Sequence, residues 1–156
     1  METKPKCKIC RRADKKIFLK GDKCNSAKCP MIVKPYPPGI KGKRRMGGLS
    51  EFGRQLKEKQ RLKNWYGLSE KQFKNYVRKA LHKKGTKQDE LIIFLENRLD
   101  NVIFRLGLAK SRRLARQIVS HGHILVNNKK TTIPSRQLKI GDTIKLKTKS
   151  FNSALF

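Results

Sequence analysis

One stretch, residues 98–130, constrains the fold more than any other, because helix, turn and strand signals follow one another there without a gap. Its first part repeats apolar side chains at the three- and four-residue spacing that gives a helix one buried stripe. These side chains are Leu99, Val102, Ile103 and Leu106. Gly107 then ends the helix, because glycine adopts the left-handed conformation after a helix without a steric cost.

A second helix and a strand follow directly. Ser111 is placed to cap the N-terminus of the helix. The inner face of that helix carries Leu114, Ile118 and Val119. Gly122 ends the helix, residues 123–126 alternate as a strand does, and Asn127-Asn128 forms a turn pair. The stretch therefore predicts two helices followed by the first strand of a small sheet.

Three arginines occupy the first half of the second helix, on the side that its apolar residues leave free. They are Arg112, Arg113 and Arg116. A helix N-terminus already offers unpaired N–H groups and a positive dipole end. Guanidinium groups crowded there repel each other unless an anion lies across them. A bound polyanion is the economical explanation, and a solvated helix face that happens to be basic is the alternative.

The charge of the whole chain points to the same partner. Lys and Arg number 40 against 11 Asp and Glu, which gives a formal net charge of +29 in 156 residues. Nucleic acid is the leading candidate for neutralising such a surplus. A membrane surface is the alternative, but no apolar run reaches the roughly 18 residues of a spanning helix. The N-terminus has no apolar segment typical of secretion, so a reducing compartment is expected.

Four cysteines share the spacing C-x2-C-x13-C-x4-C, and they are Cys7, Cys10, Cys24 and Cys29. In a reducing compartment this spacing favours a metal site over disulfides. A closed structural Zn²⁺ site with four thiolate ligands is the main prediction. An iron–sulfur cluster and four unliganded cysteines are the alternatives. A site with four thiolates leaves no open position for catalysis.

A basic connector and two helices are predicted between the cysteines and residue 86. The prolines and glycines of residues 35–42 exclude a helix and imply an extended segment. The cluster that follows, Lys43, Arg44 and Arg45, could meet phosphates or could belong to a charged disordered segment.

The first of these helices begins at Ser50 and runs to about Tyr66, with Phe52, Leu56 and Leu62 predicted to face inward. Ser69 and Gln72 form a capping box for the second, which runs to about His82. The outward lysines and arginines of this hairpin would face phosphates, among them Arg54, Lys57 and Arg61.

The predicted fold class is α+β in three parts. Residues 1–45 form a zinc knuckle and connector, residues 46–86 a helical domain, and residues 87–156 a module of two helices packed on a small sheet. Residues 85–110 carry four basic and four acidic side chains, and this neutral segment is predicted to be the core. A turn over residues 138–142 leads into the last strand.

Several motifs resemble the small ribosomal subunit protein four family. In the module they are Arg98-Leu99-Asp100-Asn101, Arg105-Leu106-Gly107, Ser111-Arg112, Ala115-Arg116-Gln117, His121-Gly122-His123 and Val126-Asn127. The module alone also resembles domains appended to RNA-modifying enzymes and a tRNA ligase. The run Pro35-Tyr-Pro-Pro-Gly39, the helical segments and the cysteines extend the resemblance to most of the chain and disfavour those enzymes. Family members typically continue for several tens of residues, so a shorter C-terminal part is the expected departure.

The resemblance implies a structural, non-catalytic protein of the small ribosomal subunit that binds the five-prime domain of small-subunit rRNA early in assembly. It also implies contact with small ribosomal subunit protein five, a place near incoming mRNA and an influence on translational accuracy. The expected location is a cytoplasmic ribosome, with an organellar one left open. The predicted RNA-contacting residues are Lys43, Arg44, Arg45, Arg54, Lys57, Arg61, Arg98, Arg112, Arg113, Arg116 and His121.

Two other classes of function have less support in the sequence. An enzyme is disfavoured, because no Gly-rich phosphate loop and no Ser/His/Asp arrangement is present. Asp100 is interpreted as a helix-surface residue that holds an arginine in position. A zinc-containing regulator that binds DNA or mRNA is the alternative function, although no element resembles a major-groove recognition helix.

Overall fold

The computed structural model describes residues 5–39 and 48–150. The chain divides into two compact units, Met1–Leu68 (unit 1) and Ser69–Phe156 (unit 2). This division falls between the two helices that were predicted to share one helical domain over residues 46–86. The second of them belongs to unit 2 because it packs against the helix that follows it.

Four helices make up the described part of unit 1. They are α1 (Lys6–Ala13), α2 (Asp22–Asn25), α3 (Pro30–Val33) and α4 (Glu51–Trp65). Ser50 caps α4 as predicted, because its side chain accepts a hydrogen bond from the N–H of Gly53. Helix α1 packs against both α3 and α4.

The predicted inward face of α4 is wrong at two positions. Phe52 is 74% exposed, Leu56 is also exposed, and α4 contains no fully buried residue. The physical reason lies in the lengths of the helices. Helix α1 has eight residues and α4 has fifteen, which makes them about 12 and 22 Å long at 1.5 Å per residue. Helix α1 can therefore cover only part of α4.

The described part of unit 2 contains four α-helices and a small sheet. The helices are α5 (Glu70–Leu81), α6 (Lys87–Glu96), α7 (Leu99–Arg105) and α8 (Arg112–Ser120). The strands are β1 (Ile124–Val126), β2 (Lys129–Thr131) and β3 (Ile144–Leu146), and a short 3-10 helix spans Thr148–Ser150. All pairings are antiparallel in the order β2-β1-β3, with Ile124 opposite both Thr131 and Leu146. A mixed fold with helices on a small sheet is thereby confirmed.

The core of unit 2 lies between α7, α8 and β1. Its buried side chains are Leu99, Ile103, Ala109, Ala115, Ile118, Val119, Ile124 and Val126. Helices α6 and α7 are separate, because Arg98 between them is extended at φ −69° and ψ 136°. Leu106 is 58% exposed, not buried as predicted, since it is the residue that follows the last turn of α7.

The predicted caps and turns of unit 2 are confirmed. Ser69 and Gln72 exchange both hydrogen bonds of a capping box, and the Ser111 side chain accepts from the N–H of Leu114. Asn127 and Asn128 adopt positive φ angles of 52° and 63°, as a tight hairpin turn between β1 and β2 requires. In residues 5–39 and 48–150, no helix is both long and apolar enough to cross a membrane.

Candidate nucleic-acid interface

The three arginines of α8 have different environments. The Nε and Nη2 of Arg116 donate to Oδ2 of Asp100 at 3.2 and 3.1 Å. The Nε of Arg112 donates to Oδ1 of Asn101 at 2.7 Å, and its guanidinium lies 4.6 Å from the centre of the Phe104 ring. Arg113 is exposed. Two of the three guanidinium groups are thus held by residues of α7.

Arg98 lies at the centre of the polar interior of unit 2. Its Nε and Nη2 donate to the two oxygens of Asp100 at 3.0 and 2.7 Å, and its Nη1 donates to the hydroxyl of Tyr76 at 2.6 Å. Burial by itself would lower the pKa of Arg98, but the hydrogen bonds and charge of Asp100 raise it. Arg98 therefore stays charged inside the unit and links α5 to α7.

The prediction that Arg98 contacts RNA does not fit this position, because Arg98 is only 1% exposed. The interpretation of Asp100 as a surface residue is also wrong, since Asp100 is 3% exposed. Its predicted role of holding an arginine is confirmed, and it holds two. The apolar stripe of this helix gave no indication of the burial, because Asp100 and Asn101 lie off the face that carries it.

A second group of polar side chains extends the network outward. The Nδ2 of Asn101 donates to the backbone oxygen and to Oε2 of Glu96 at 2.9 and 2.7 Å. Glu96 also accepts from Nε and Nη2 of Arg105 at 3.2 and 2.9 Å. The last residue of α6 is therefore tied to both ends of α7.

The remaining predicted contacts occupy the surface or lie outside the described residues. On α4, Arg54 pairs with Glu51 at 2.6 Å and Arg61 with Glu58 at 2.7 Å, while Lys57 is half-buried. Exposed pairs of this kind contribute about 0–1 kcal/mol, so they leave both arginines able to exchange partners. His121 is exposed at the end of α8. Lys43, Arg44 and Arg45 lie outside the described residues.

A basic stripe on α5 was not singled out among the predicted sites. Lys71, Lys74 and Arg78 follow one another at spacings of three and four residues, and all three are exposed. Residues at these spacings share one face of a helix. Unit 2 therefore presents exposed cations on α5 as well as on α8.

The four cysteines of unit 1 surround one small cavity. Cys10, Cys24 and Cys29 are buried, Cys7 is half-buried, and no disulfide joins them. The N–H of Lys20 donates to Sγ of Cys24 at 3.3 Å, and Lys6, Lys20 and Lys23 line the same cavity. Burial raises the pKa of the Cys10 thiol. Among the described residues, no group of three or more Cys, His, Asp or Glu has the arrangement of a metal site.

A strongly cationic chain with two helices packed on a small sheet, and with arginines fixed at the surface, belongs to the class of nucleic-acid-binding proteins. Comparison with known families divides the chain in two. Residues 2–96 match the family described as the ribosomal protein S4/S9 N-terminal domain, and residues 97–144 match the S4 domain.

Individual relatives agree with these matches. The chain is 49% identical to small ribosomal subunit protein uS4 of Syntrophomonas wolfei and 51% identical to that of Trichlorobacter lovleyi, covering 96% of this chain and 72% of each relative. It is 50% identical to the uS4 protein of Thermotoga petrophila over 95% of this chain and 70% of the relative. The chain belongs to the small ribosomal subunit protein uS4 family.

Proposed function

We propose that this protein is a structural, non-catalytic constituent of the small ribosomal subunit that binds rRNA in the cytoplasmic ribosome. The observation that carries the proposal is the family match, which spans residues 2–144 and whose relatives are about 50% identical small ribosomal subunit proteins. The alternative, a zinc-containing regulator of DNA or mRNA, gains no support from these comparisons.

The physical mode of binding would be contact with phosphates. Side chains read an A-form RNA helix poorly by sequence, so a protein recognises it mainly by shape and backbone. The exposed Arg113 and the partly exposed Arg116 of α8 supply charge for such contacts in unit 2, as do Lys71, Lys74 and Arg78 of α5. In unit 1, Arg54 and Arg61 are the corresponding exposed or partly exposed cations.

The finer assignment rests on the family resemblance. The proposed RNA target is a helical junction in the five-prime domain of small-subunit rRNA, bound early in subunit assembly. Small ribosomal subunit protein five and the mRNA entering the subunit are the proposed neighbours. An influence on translational accuracy follows from that location.

The cofactor proposal is a structural Zn²⁺ ion bound by Cys7, Cys10, Cys24 and Cys29. Its support is that the four thiols line one cavity with three lysines, which would offset the charge of four thiolates. In this proposal all four thiolates bind the same ion. The ion would then link the helices of unit 1.

Metal analysis of the purified protein tests the cofactor. One zinc per chain, lost in a Cys24→Ser variant, is the expected result. Iron content and visible absorption that correspond to one iron–sulfur cluster per chain would instead identify the cluster as the cofactor. Absence of both zinc and iron would remove the cofactor proposal and leave the rRNA proposal intact.

Binding across salt tests the main proposal. The ligands are a transcript of the five-prime domain of small-subunit rRNA and a scrambled RNA of equal length. We expect log K to fall linearly with log salt, by about 0.7–0.9 per phosphate contact. The transcript should keep at least about a tenfold advantage at roughly 0.2 M salt, where non-specific contacts are weak. Equal binding of the two RNAs at every salt concentration would contradict an rRNA-binding role.

A further inference from the structure

Two neighbouring polar residues, Asp100 and Asn101, lie almost fully buried in the first turn of α7. Each accepts a hydrogen bond from a different arginine of α8, Asp100 from Arg116 and Asn101 from Arg112. Burying a polar group costs free energy unless it is hydrogen-bonded. The hydrogen bonds to these two arginines offset part of that cost, and they fix the positions of the arginine side chains in the fold.

We propose that Asp100 and Asn101 are positioning residues for RNA binding. They orient the guanidinium groups of Arg116 and Arg112 before RNA binds, so that α8 presents a preformed cationic surface. The inference rests on the proposed rRNA-binding function and identifies the part of the fold that arranges its cations.

The charges around Asp100 indicate that it positions Arg116 and does not simply neutralise it. One carboxylate faces two guanidinium groups, so this cluster carries a net charge of +1. Arg98 is buried and donates to Asp100 and Tyr76. The Arg116 side chain is 26% exposed. The surplus positive charge therefore reaches the surface at Arg116, where a phosphate can meet it.

The geometry of Asn101 supports the same role for Arg112. Its amide nitrogen donates to two oxygens of Glu96, which leaves Oδ1 as the atom that faces Arg112. The ring of Phe104 supports the guanidinium plane from one side at 4.6 Å. Because Asn101 is neutral, it orients Arg112 without cancelling its charge.

Arg113 provides an internal comparison. It lies on the same helix and is exposed, and in the described part of the chain no hydrogen bond or ion pair holds its side chain. Ordering a long side chain on binding costs affinity, by about two- to tenfold for each side chain. The side chains of Arg112 and Arg116 are already ordered in the folded protein, whereas the side chain of Arg113 loses its conformational freedom only when RNA binds.

A double-mutant cycle in the full chain tests the positioning of Arg112. Asn101→Ala is combined with Arg112→Ala and, as the matched control, with Arg113→Ala. Affinity is measured for the five-prime-domain transcript, well below the thermal unfolding transition of every variant. We expect Asn101→Ala to weaken binding about three- to tenfold in the wild-type and Arg113→Ala backgrounds, and less than about twofold in the Arg112→Ala background.

The cycle separates positioning from a general effect on folding. An equal loss in all three backgrounds, or no loss in any of them, would overturn the inference. The salt slope should also stay unchanged in Asn101→Ala, because the variant removes no cation.

A measurement on the wild-type protein tests the inference even if the variants fail to fold. Relaxation of the arginine Nε–H groups by NMR reports their mobility in the absence of RNA. Arg112 and Arg116 should be ordered, with order parameters above about 0.6, and Arg113 should be more mobile. Equal mobility of the three groups would overturn the inference. Failure of the wild-type protein to prefer the transcript would overturn the proposed function, and this NMR result would still decide whether the arginines are held.

Discussion

Two glycines in unit 2 end helices with left-handed backbones but have different surroundings. Gly107 has φ +78°, and a side-chain carbon built there would meet no atom within 4 Å. Gly122 has φ +74°, and the same carbon would press on Cε of Lys130, near the end of a flexible side chain. Backbone strain is common to both positions, whereas crowding exists only at Gly122.

Substitution by alanine separates these two effects. Gly107→Ala should lower the free energy of unfolding by about 1–2 kcal/mol, which is the cost of a left-handed residue with a side chain. Gly122→Ala should cost about the same, to within about 1 kcal/mol, because Lys130 is exposed and can swing away. Urea denaturation of the two variants checks this. A much larger loss for Gly122→Ala would show that Lys130 is held in place.

Asp142 links the turn before β3 to the hairpin between β1 and β2. It accepts from the backbone N–H of Lys139 at 2.9 Å and from Nδ2 of Asn127 at 2.8 Å. These bonds stabilise the charged carboxylate, so the pKa of Asp142 is lowered from its usual value of 3.8. Asn127 in turn accepts from the N–H of Thr143 at 2.9 Å.

A pH dependence follows from that lowered pKa. The stabilisation by charged Asp142 should be fully present above the unfolded pKa and be lost as the pH falls through the lower, folded pKa. The difference in unfolding free energy between wild type and Asp142→Asn should therefore shrink as the pH falls below about 4. Denaturation at several pH values measures this difference. A difference that grows towards low pH would contradict the assignment.

At the scale of single elements, α4 and α5 differ in how much of their apolar face is covered. Both have a serine cap and basic outer residues. Helix α5 buries Phe73 and Ala80 and packs against α6, whereas α4 leaves Phe52 exposed. The stability of α4 therefore depends more on its cap and its internal side-chain pairs.

Matched substitutions of phenylalanine test this difference. Phe73→Ala should destabilise unit 2 by about 3–5 kcal/mol, as loss of a buried aromatic ring does. Phe52→Ala should change the stability of unit 1 by no more than about 0.5 kcal/mol, because little contact is lost and alanine favours the helix. Urea denaturation followed by circular dichroism compares them. A large loss for Phe52→Ala would mean that a partner or another segment covers this face in solution.

At the scale of the whole molecule, the two units should respond differently to loss of the proposed zinc ion. All four cysteines lie in unit 1, as does Trp65, the single tryptophan of the chain. Chelation should lower the unfolding temperature reported by Trp65 fluorescence, because metal binding and folding are coupled. Hydrogen exchange of α8 amides in unit 2 should stay unchanged. Equal destabilisation of both regions would contradict an effect of the ion that is confined to unit 1.

The net charge of +29 also acts at this scale. Self-repulsion of so many cations opposes a compact state, and a polyanion removes it. RNA binding should therefore raise the stability of the protein as well as occupy its surface.

The sequence by itself determined the local features of this protein. The caps at Ser50, Ser69 and Ser111 and the turn at Asn127-Asn128 depend on residues within three positions of each other. Such features need only local hydrogen bonds and backbone preferences. The cationic surplus and the family motifs were equally visible without a fold.

Burial of charged residues was decided only by the tertiary structure. Arg98 was predicted to contact RNA, but it is buried, where it donates hydrogen bonds to Tyr76 and Asp100. Asp100 also accepts a hydrogen bond from Arg116, sixteen residues further on. The same holds for α4, where the short α1 leaves Phe52 uncovered. A pattern along one helix shows which side chains share a face, but which face is covered depends on segments distant in the sequence, because burial is a property of packing.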